Sequence, residues 1–151
     1  MNQLSNELKQ QAISRHLCEK WTNEWADNST QQELIDKYKN GFDFILQQKT
    51  TWPTNEYIKA NFNKELLHEN LIFVDEKVNM DDAPSGVYIF NGDCEGQLTF
   101  KSWGVATIYV RHTSHIHIAA QDHAKVFVRV YDNAQAEGES GASATLITRK
   151  I

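Results

Sequence analysis

Two histidines in the segment HIHI come closest, by type and spacing, to a chemical site in this chain. His115 and His117 are separated by one residue. On a β-strand their side chains would therefore point to the same side of the sheet, about 6–7 Å apart. Two imidazoles at that separation can bind one metal ion, and His112 and His123 lie nearby in the sequence. The pair raises the hypothesis of a small metal-dependent enzyme.

The residues that follow the pair do not complete a known metal-binding pattern. The cupin family places such a pair on a barrel strand, with a glutamate a few residues later and a third histidine far downstream. Here Gln121 and Asp122 stand in the glutamate's region, and no histidine follows His123. We therefore expect no metal and no cofactor, and we keep a metal site at His115 and His117 as the alternative.

Other signatures of catalysis are absent from the sequence. Cys18 and Cys94 lie far apart and form no Cys-x-x-Cys pair, and we expect both to be free thiols. There is no Walker loop, no Gly-x-Ser-x-Gly elbow and no Rossmann glycine pattern. The sequence thus predicts a protein that is not an enzyme.

Charge and hydropathy exclude two classes of partner. The net charge of −5 and the pI near 5.6 argue against general nucleic-acid binding, which needs a basic face. No apolar run reaches the roughly 18–20 residues that span a bilayer, and the polar N-terminus does not resemble a secretory signal. We therefore expect a cytoplasmic protein without a membrane partner.

The elements that would position these side chains begin with a helical module at residues 1–70, predicted to contain about three helices. The first apolar stripe is formed by Leu4, Leu8, Ile13, Leu17, Trp21 and Trp25. The second is formed by Leu34, Ile35, Tyr38, Phe42, Ile45 and Leu46, and the third by Ile58, Phe62 and Leu66. Thr30 with Glu33 predicts a capping box for the second helix, and Thr54 predicts the N-cap of the third.

The rest of the chain has a different period. Residues 71–85 contain the turn-forming stretch NMDDAPSG and are predicted to be a linker, with a first strand at residues 71–74. From residue 86 to residue 151 the apolar period is two, which is typical of β-strands. Small residues open the apolar bursts at intervals of 8, 10, 10 and 8 residues. They are Ala106, Ser114, Ala124, Ala134 and Ala142.

A repeat of about nine to ten residues fits one strand and one tight turn of a β-solenoid. Aliphatic residues of successive coils would fill a narrow core, and small residues would lie at the corners. The sequence therefore predicts an α+β protein, with a helical module at residues 1–70 and a short C-terminal β-solenoid at residues 86–151. The alternative is an antiparallel β-sandwich or meander, because periodicity does not report strand direction.

The segment GVATIYVRHTSHIHIAAQDHAKVFVRVYDNAQAEGESGASATLI, about a third of the chain, resembles the short β-helical modules of phage fibres, spikes and related polymer-forming bacterial proteins. The whole layout is also similar to uncharacterised proteins of gut anaerobes and their phages, in which a helical part precedes such a repeat. The resemblance implies a structural component of phage or prophage origin without catalytic residues. It also implies virion association, with other virion or host proteins as partners.

Outward-facing aromatic and basic residues of the repeat are the candidate binding residues. Aligned on the small residues, they are predicted to share one face, with Tyr109, His117 and Phe127 in one column, Arg111 and Arg129 in the next, and Tyr131 at the edge. Tyr, Phe and Arg are enriched at protein interfaces. We therefore expect a non-enzymatic structural or binding protein that forms a homo-oligomer through this face.

Two functions of other classes stay open. The same aromatic and basic residues could sequester a small anionic ligand or a sugar, through stacking and charge-assisted hydrogen bonds. The second is the metal-dependent enzyme that would use His115 and His117.

Overall fold

The computed structural model describes residues 3–16 and 29–151. It divides the chain into two compact units, Met1–Leu67 and His68–Ile151. The first unit is helical and the second is a stack of parallel strands, so the predicted α+β architecture is confirmed. No described helix is both long enough and apolar enough to cross a membrane.

Two of the five described helices of the first unit begin at the predicted caps. The five are α1 (Gln3–Ser14), α2 (Gln31–Asn40), α3 (Phe42–Leu46), α4 (Asn55–Asn61) and α5 (Lys64–Glu69), the last of which runs into the second unit. The Glu33 N–H donates to Thr30 Oγ1 at 3.2 Å and the Thr30 N–H donates to Glu33 Oε1 at 3.1 Å, which confirms the capping box. Thr54 is the N-cap of α4, since its Oγ1 accepts from the Tyr57 N–H at 3.1 Å.

The number of helices was predicted too low because two apolar stripes continue across a break. The second predicted helix divides at Gly41, which ends α2 and precedes α3. The third divides at Phe62, whose extended backbone (φ −112°, ψ 143°) ends α4. Asn63 then accepts from the Leu66 N–H at 2.9 Å and helps to start α5. Of the first stripe, Leu17, Trp21 and Trp25 lie outside the described residues.

Nine strands of the second unit form two parallel sheets. They are β1 (Ile72–Val74), β2 (Lys77–Met80), β3 (Gly86–Asn91), β4 (Glu95–Phe100), β5 (Val105–Val110), β6 (His115–Ala120), β7 (Lys125–Val130), β8 (Gln135–Ser140) and β9 (Thr145–Lys150). Odd-numbered strands form sheet A in the order β1-β3-β5-β7-β9, and even-numbered strands form sheet B in the order β2-β4-β6-β8. Because every pairing is parallel, the predicted solenoid is confirmed and the antiparallel alternative is wrong.

One coil consists of two strands and two corners, and from β3 onward equivalent residues lie 20 positions apart. Ala106 pairs with Val126 and Ile108 pairs with Val128 in sheet A, and their side chains point inward. Ile116 and Ile118 supply the facing side of the core from sheet B, and all six residues are at most 1% exposed. Burial of these aliphatic ladders, at about 25 cal/mol per Å² of apolar surface, stabilises the stack.

The spacing of the corners is more regular than the spacing of the five small residues indicated. From Cys94 onward each corner ends in a small residue ten positions after the previous one, and the corner before β5 ends in Gly104, that before β9 in Ala144. Ala106 is instead an inward strand residue, and Ala142 lies within a corner. The irregular intervals of 8 residues therefore resulted from counting two alanines that occupy other positions.

The solenoid begins inside the segment predicted to be a linker, because β1 and β2 form its first coil. The residues before β1 pack against this coil. The His68 ring lies 5.2 Å from the Phe73 ring, and its Nε2 is 2.8 Å from Glu76 Oε1. Phe73 in turn stacks on Phe90 of the second coil, so aromatic side chains fill this end of the core.

The last described coil has a smaller and more polar interior. A side chain at Gly138 would require Leu146 to move, since an added Cβ would overlap Leu146 Cδ2. Lys150, at an inward position of β9, donates from Nζ to the Asp132 carbonyl at 2.7 Å and to the Ala134 carbonyl at 3.3 Å. Backbone acceptors of this coil are thereby satisfied by a flexible cation.

Candidate functional site

The corners of the solenoid hold the chain in place through side chains that accept backbone hydrogen bonds. Five equivalent corner residues have a positive φ, between 55° and 72°: Gly92, Ser102, His112, Asp122 and Asp132. The side chains of the last three accept from the N–H of the equivalent residue 20 positions earlier. The Ser102 N–H donates to Asp122 Oδ2 at 2.8 Å, and the His112 N–H donates to Asp132 Oδ2 at 3.2 Å.

His112 belongs to this corner ladder and not to a ligand set. The Gly92 N–H donates to His112 Nδ1 at 2.7 Å, so that nitrogen must be unprotonated. Burial lowers the pKa of His112 from its usual 6.5, and the positive charge of Arg111 lowers it further. Asp132 and Asp75 oppose that shift. A neutral imidazole is therefore the form that the corner requires.

Among the candidate binding residues, the observed place of Arg111 differs most from the predicted one. It is 6% exposed, and its Nη1 donates to Asn91 Oδ1 at 2.6 Å inside the corner. The expectation that it lies on the outward column is wrong. Strand alternation ends at Val110, and the residue after it packs over the equivalent residue of the previous coil.

The outward residues divide between two surfaces, which we call face A and face B. Face A is the outer side of sheet A from β3 to β9, and face B is the outer side of sheet B. The six-residue strands β5 to β9 each present their first, third and fifth residues outward, as in Val105, Thr107 and Tyr109 of β5. Two chemically different surfaces therefore rest on one core.

Face A carries a strip of exposed apolar side chains. Its third-position column runs through Val87, Thr107, Phe127 and Ile147, which are paired neighbours in the sheet. Val87, Phe127 and Ile147 are 39%, 39% and 43% exposed, and Val105 in the adjacent column is 52% exposed. Such contiguous exposure of large apolar side chains is typical of an interaction surface.

Trp103 adds the most exposed large side chain to the border of face A. It lies in the corner before β5 and is 75% exposed. Its ring stacks on that of His123, in the equivalent corner one coil later, with centroids 4.3 Å apart and planes inclined by 12°. The stack holds an exposed tryptophan in one orientation beside Val105.

The charged residues of face A are all cations. Lys125, Arg129 and Arg149 are exposed, and within the described residues none of them forms an ion pair. Arg129 lies between Tyr109 and Arg149 in the fifth-position column. Tyr131, at the neighbouring corner, stacks on Tyr109 with centroids 6.2 Å apart. The face is therefore apolar in its centre and basic toward the later coils.

Face B carries the His-x-His pair beside carboxylates. His115 and His117 point outward from β6, as the alternation predicted. His115 Nε2 lies 3.0 Å from Glu137 Oε1, and His117 Nε2 lies 3.9 Å from Glu139 Oε1. In the parts of the chain that the structure describes, no group of three or more His, Cys, Asp or Glu side chains could hold a metal ion. Solvent-exposed ion pairs are the arrangement found for the pair.

The predicted single column of aromatic residues is wrong. Tyr109 and Phe127 occupy neighbouring columns of face A, and His117 lies on face B between Gln97 and Glu137. The alignment treated each ten-residue unit as a full coil, whereas it is half a coil and consecutive strands belong to opposite sheets. The structure does bring Tyr109, Phe127, Arg129 and Tyr131 together on one side.

Several residues of face A were missed by the sequence reasoning. They are Val87, Trp103, Val105, Ile147 and Arg149. Applying a spacing of 20 residues to Phe127 would have found Ile147 and Val87, and applying it to Arg129 would have found Arg149. For Trp103 the signal was its place in a turn, where a large aromatic residue has no core to enter.

The second cysteine of the sequence lies in a corner of the core. Cys94 is a buried free thiol, and burial raises its pKa, so the reactive thiolate is disfavoured. Cys18 lies outside the described residues.

Comparisons of the chain with protein families, curated proteins and solved structures gave no match.

Proposed function

We propose that this protein is a non-enzymatic structural or binding component that self-associates through face A of its solenoid. The observation that carries the proposal is the exposed apolar strip Val87, Phe127 and Ile147, flanked by Val105 and Trp103. Water contact with this strip is unfavourable at about 25 cal/mol per Å², and association removes it. The exposed Arg129 and Tyr109 beside the strip are of the types enriched in protein interfaces.

The regular parallel pairing of the solenoid supports the same use. Parallel strands held by ladders of inward aliphatic residues fix the outward side chains at regular spacings of about 4.8 Å between coils. Little conformational entropy is then lost when the surface meets a partner. A face of this kind favours binding to a surface that is equally regular, such as a second solenoid.

Sedimentation velocity over a range of concentrations tests the proposal with a matched pair of variants. Phe127→Asp places a carboxylate in the strip of face A, and Gln97→Asp places one at the equivalent third position of face B. We expect wild type and Gln97→Asp to form dimers or larger oligomers, with association weakened at least tenfold in Phe127→Asp. Monomeric wild-type protein at every concentration, or equal weakening by both variants, contradicts the proposal.

A virion or prophage setting is part of the proposal. It is supported by the resemblance of residues 104–147 to β-helical modules of phage fibres and spikes, and by the parallel solenoid that the resemblance implies. A protein with this role should sediment with purified particles after induction of the host. Its complete recovery in the particle-free fraction would contradict a virion role and leave self-association to be judged by the sedimentation experiment.

A second candidate function, the sequestering of a small anionic ligand, is favoured by the absence of carboxylate partners for Arg129 and Arg149 within the described residues. Arg111 has no part in it, because it is buried in a corner. Thermal-shift screening of nucleotides and acidic sugars tests this candidate. A shift that persists in Arg129→Ala and Arg149→Ala places the binding elsewhere on the protein.

A further inference from the structure

The outer side of β5, β7 and β9 is the part of face A that is open to solvent over its full width. Each of these strands presents its first, third and fifth residues outward, so nine side chains form a regular array. On β3 the outward Ile89, which pairs with Tyr109, is 0% exposed and is covered within the chain. A partner that needs a broad contact therefore meets β5, β7 and β9.

The cations of this array lie on both sides of its apolar centre. Phe127 and Ile147 occupy the central column and are 39% and 43% exposed. Lys125 lies in the first column, and Arg129 and Arg149 lie in the fifth. The two outer columns are about 13 Å apart, since a strand rises about 3.3 Å per residue. An apolar centre with a basic rim is thus built into three neighbouring strands.

None of the nine residues of the array is acidic. Asp122 and Asp132, which are close in sequence to Lys125 and Arg129, lie in corners. There they accept backbone N–H groups at 2.8 Å and 3.2 Å. The chain as a whole carries a net charge of −5, so the array is a positive area on a negative molecule. Its charges are complementary to an anionic partner.

An anionic lipid surface accommodates both features of the array at once. Apolar side chains of a peripheral protein enter the boundary between headgroups and acyl chains, to a depth of about 5–10 Å. Each Lys or Arg beside them meets anionic headgroups and strengthens binding about fivefold. A small soluble anion, in contrast, would bind Arg129 and Arg149 and leave Phe127 and Ile147 in water.

Trp103 extends the apolar area at the border of the array. It is 75% exposed, and its ring stacks on that of His123 with centroids 4.3 Å apart. Val105, the next outward residue, is 52% exposed. Tryptophan is enriched where proteins meet the headgroup region, because its ring is apolar and its N–H forms hydrogen bonds. The residue type and its place therefore fit the edge of a lipid contact.

The carboxylates of face B do not prevent this contact. Sheets that pack face to face lie about 10 Å apart, and Glu137 and Glu139 point away from face A. Their distance from the lipid exceeds the Debye length of about 8 Å at physiological ionic strength, so their repulsion is screened. A peripheral contact also needs no membrane-spanning run, which is the feature on which the expectation of no membrane partner was based.

We propose that face A binds a negatively charged lipid surface through β5, β7 and β9. Phe127 and Ile147 enter the surface, while Lys125, Arg129 and Arg149 lie against its anionic headgroups. This function goes beyond self-association and does not depend on it. Because the lipid and a second copy would use the same apolar strip, they compete for face A.

Flotation of the full chain with lipid vesicles tests the proposal, at a protein concentration at which the chain is monomeric. Vesicles of phosphatidylcholine are compared with vesicles that also contain about 30% phosphatidylserine, which makes the surface negative. Arg129→Gln is matched with Lys77→Gln, which removes an exposed cation of β2 on face B. Ile147→Ser is matched with Gln97→Ser, at a third outward position of face B.

We expect the chain to float only with the anionic vesicles. Arg129→Gln should lower the partition coefficient about fivefold, because one cation is lost from the contact. Ile147→Ser should lower it by about threefold or more, because less apolar surface leaves water. Each face B control should change it by less than about twofold, since its side chain stays in solvent.

Failure of the wild-type chain to float, or equal losses in a variant and its control, overturns the lipid contact. So does a loss in Arg129→Gln without a loss in Ile147→Ser, together with release of the protein by inorganic phosphate. That result assigns the cations to a soluble anion. Sedimentation velocity without vesicles separates this proposal from self-association, because a chain that floats and is monomeric at every concentration contradicts self-association alone.

Discussion

Faces A and B have the same backbone pattern, but almost all of their outward side chains differ in type. Face A presents the exposed Phe127 and Ile147 with cations and no carboxylate. Face B presents Glu95, Glu137 and Glu139 with the two histidines of β6 and has no exposed large apolar residue among its strands. Since both faces are built from equally regular strands, regularity alone does not explain the apolar strip. This contrast supports the proposal that face A is the interaction surface.

The comparison also separates what folds the solenoid from what its surface does. Inward residues of the central strands β5, β6 and β7 are aliphatic or small and almost completely buried, whereas outward residues vary between coils. A stack whose coils contact only their neighbours keeps its stability in those inward ladders. Outward substitutions should therefore change association without unfolding the module, and inward substitutions should do the reverse.

The largest expected effect separates two neighbouring residues of β6. Ile118→Ala should lower the free energy of unfolding by about 2–5 kcal/mol, because it leaves a cavity where the side chain is 1% exposed. His117→Ala, one residue away and outward, should change it by no more than about 0.5 kcal/mol. Chemical denaturation followed by circular dichroism measures both. Equal losses would mean that face B contributes to the fold as much as the core does.

Ile118 and His117 illustrate what could be predicted from the sequence. Alternation of apolar and polar residues was enough to place Ile116 and Ile118 inward and His115 and His117 outward. It did not predict that Glu137 lies beside His115, because that contact spans 22 residues and depends on the chain passing through the other sheet between β6 and β8. Local patterns report which side a residue takes; they do not report which strand lies next to it.

The corners show the same limit in another form. Asp122 and Asp132 are of a residue type that tolerates the left-handed backbone of a turn. Arg111 was placed outward because the alternation was continued one residue past the end of β5. Only the return of the chain at His112, with a φ of 60°, makes Arg111 pack inward over Asn91. Sequence patterns therefore predicted the faces better than the corners that join them.

A substitution in a corner should lower the free energy of unfolding by less than a cavity-forming substitution in the core does. It should lower it by more than a substitution on either face does. Asp122→Ala removes the acceptor of the Ser102 N–H and leaves alanine at a φ of 55°. We expect a loss of about 1–3 kcal/mol in the free energy of unfolding. Asp122→Asn keeps both an acceptor and a residue suited to that backbone, so it should lose well under half as much. Similar losses in the two variants would show that the charge of Asp122 matters more than its hydrogen bond.

His112, in the corner between β5 and β6, should make the free energy of unfolding depend on pH. His112 has a lowered pKa in the folded protein, so the unfolded chain takes up its proton first as the pH falls below about 6.5. The free energy of unfolding should therefore be highest above that pH. It should decrease on acidification until the folded imidazole also becomes protonated.

His112→Asn is the control for that pH dependence. Asparagine keeps an acceptor for the Gly92 N–H and tolerates the positive φ, but it does not titrate in this range. Thermal unfolding measured between pH 5 and pH 8 should give a flatter profile for this variant than for wild type. An unchanged profile would assign the acid sensitivity to groups other than His112.

The smallest expected effects on stability come from the charged residues of the two faces, and they should differ in association. Glu137→Gln removes an exposed ion pair with His115, and Arg129→Gln removes an exposed cation of face A. Each should change the free energy of unfolding by less than about 1 kcal/mol, since solvent screens exposed charges. Only Arg129→Gln should weaken self-association, by roughly three- to tenfold, because only Arg129 lies on face A and arginine is among the residues that contribute most to protein interfaces. Sedimentation equilibrium of both variants measures this difference. Equal association constants would leave the apolar strip as the sole source of affinity.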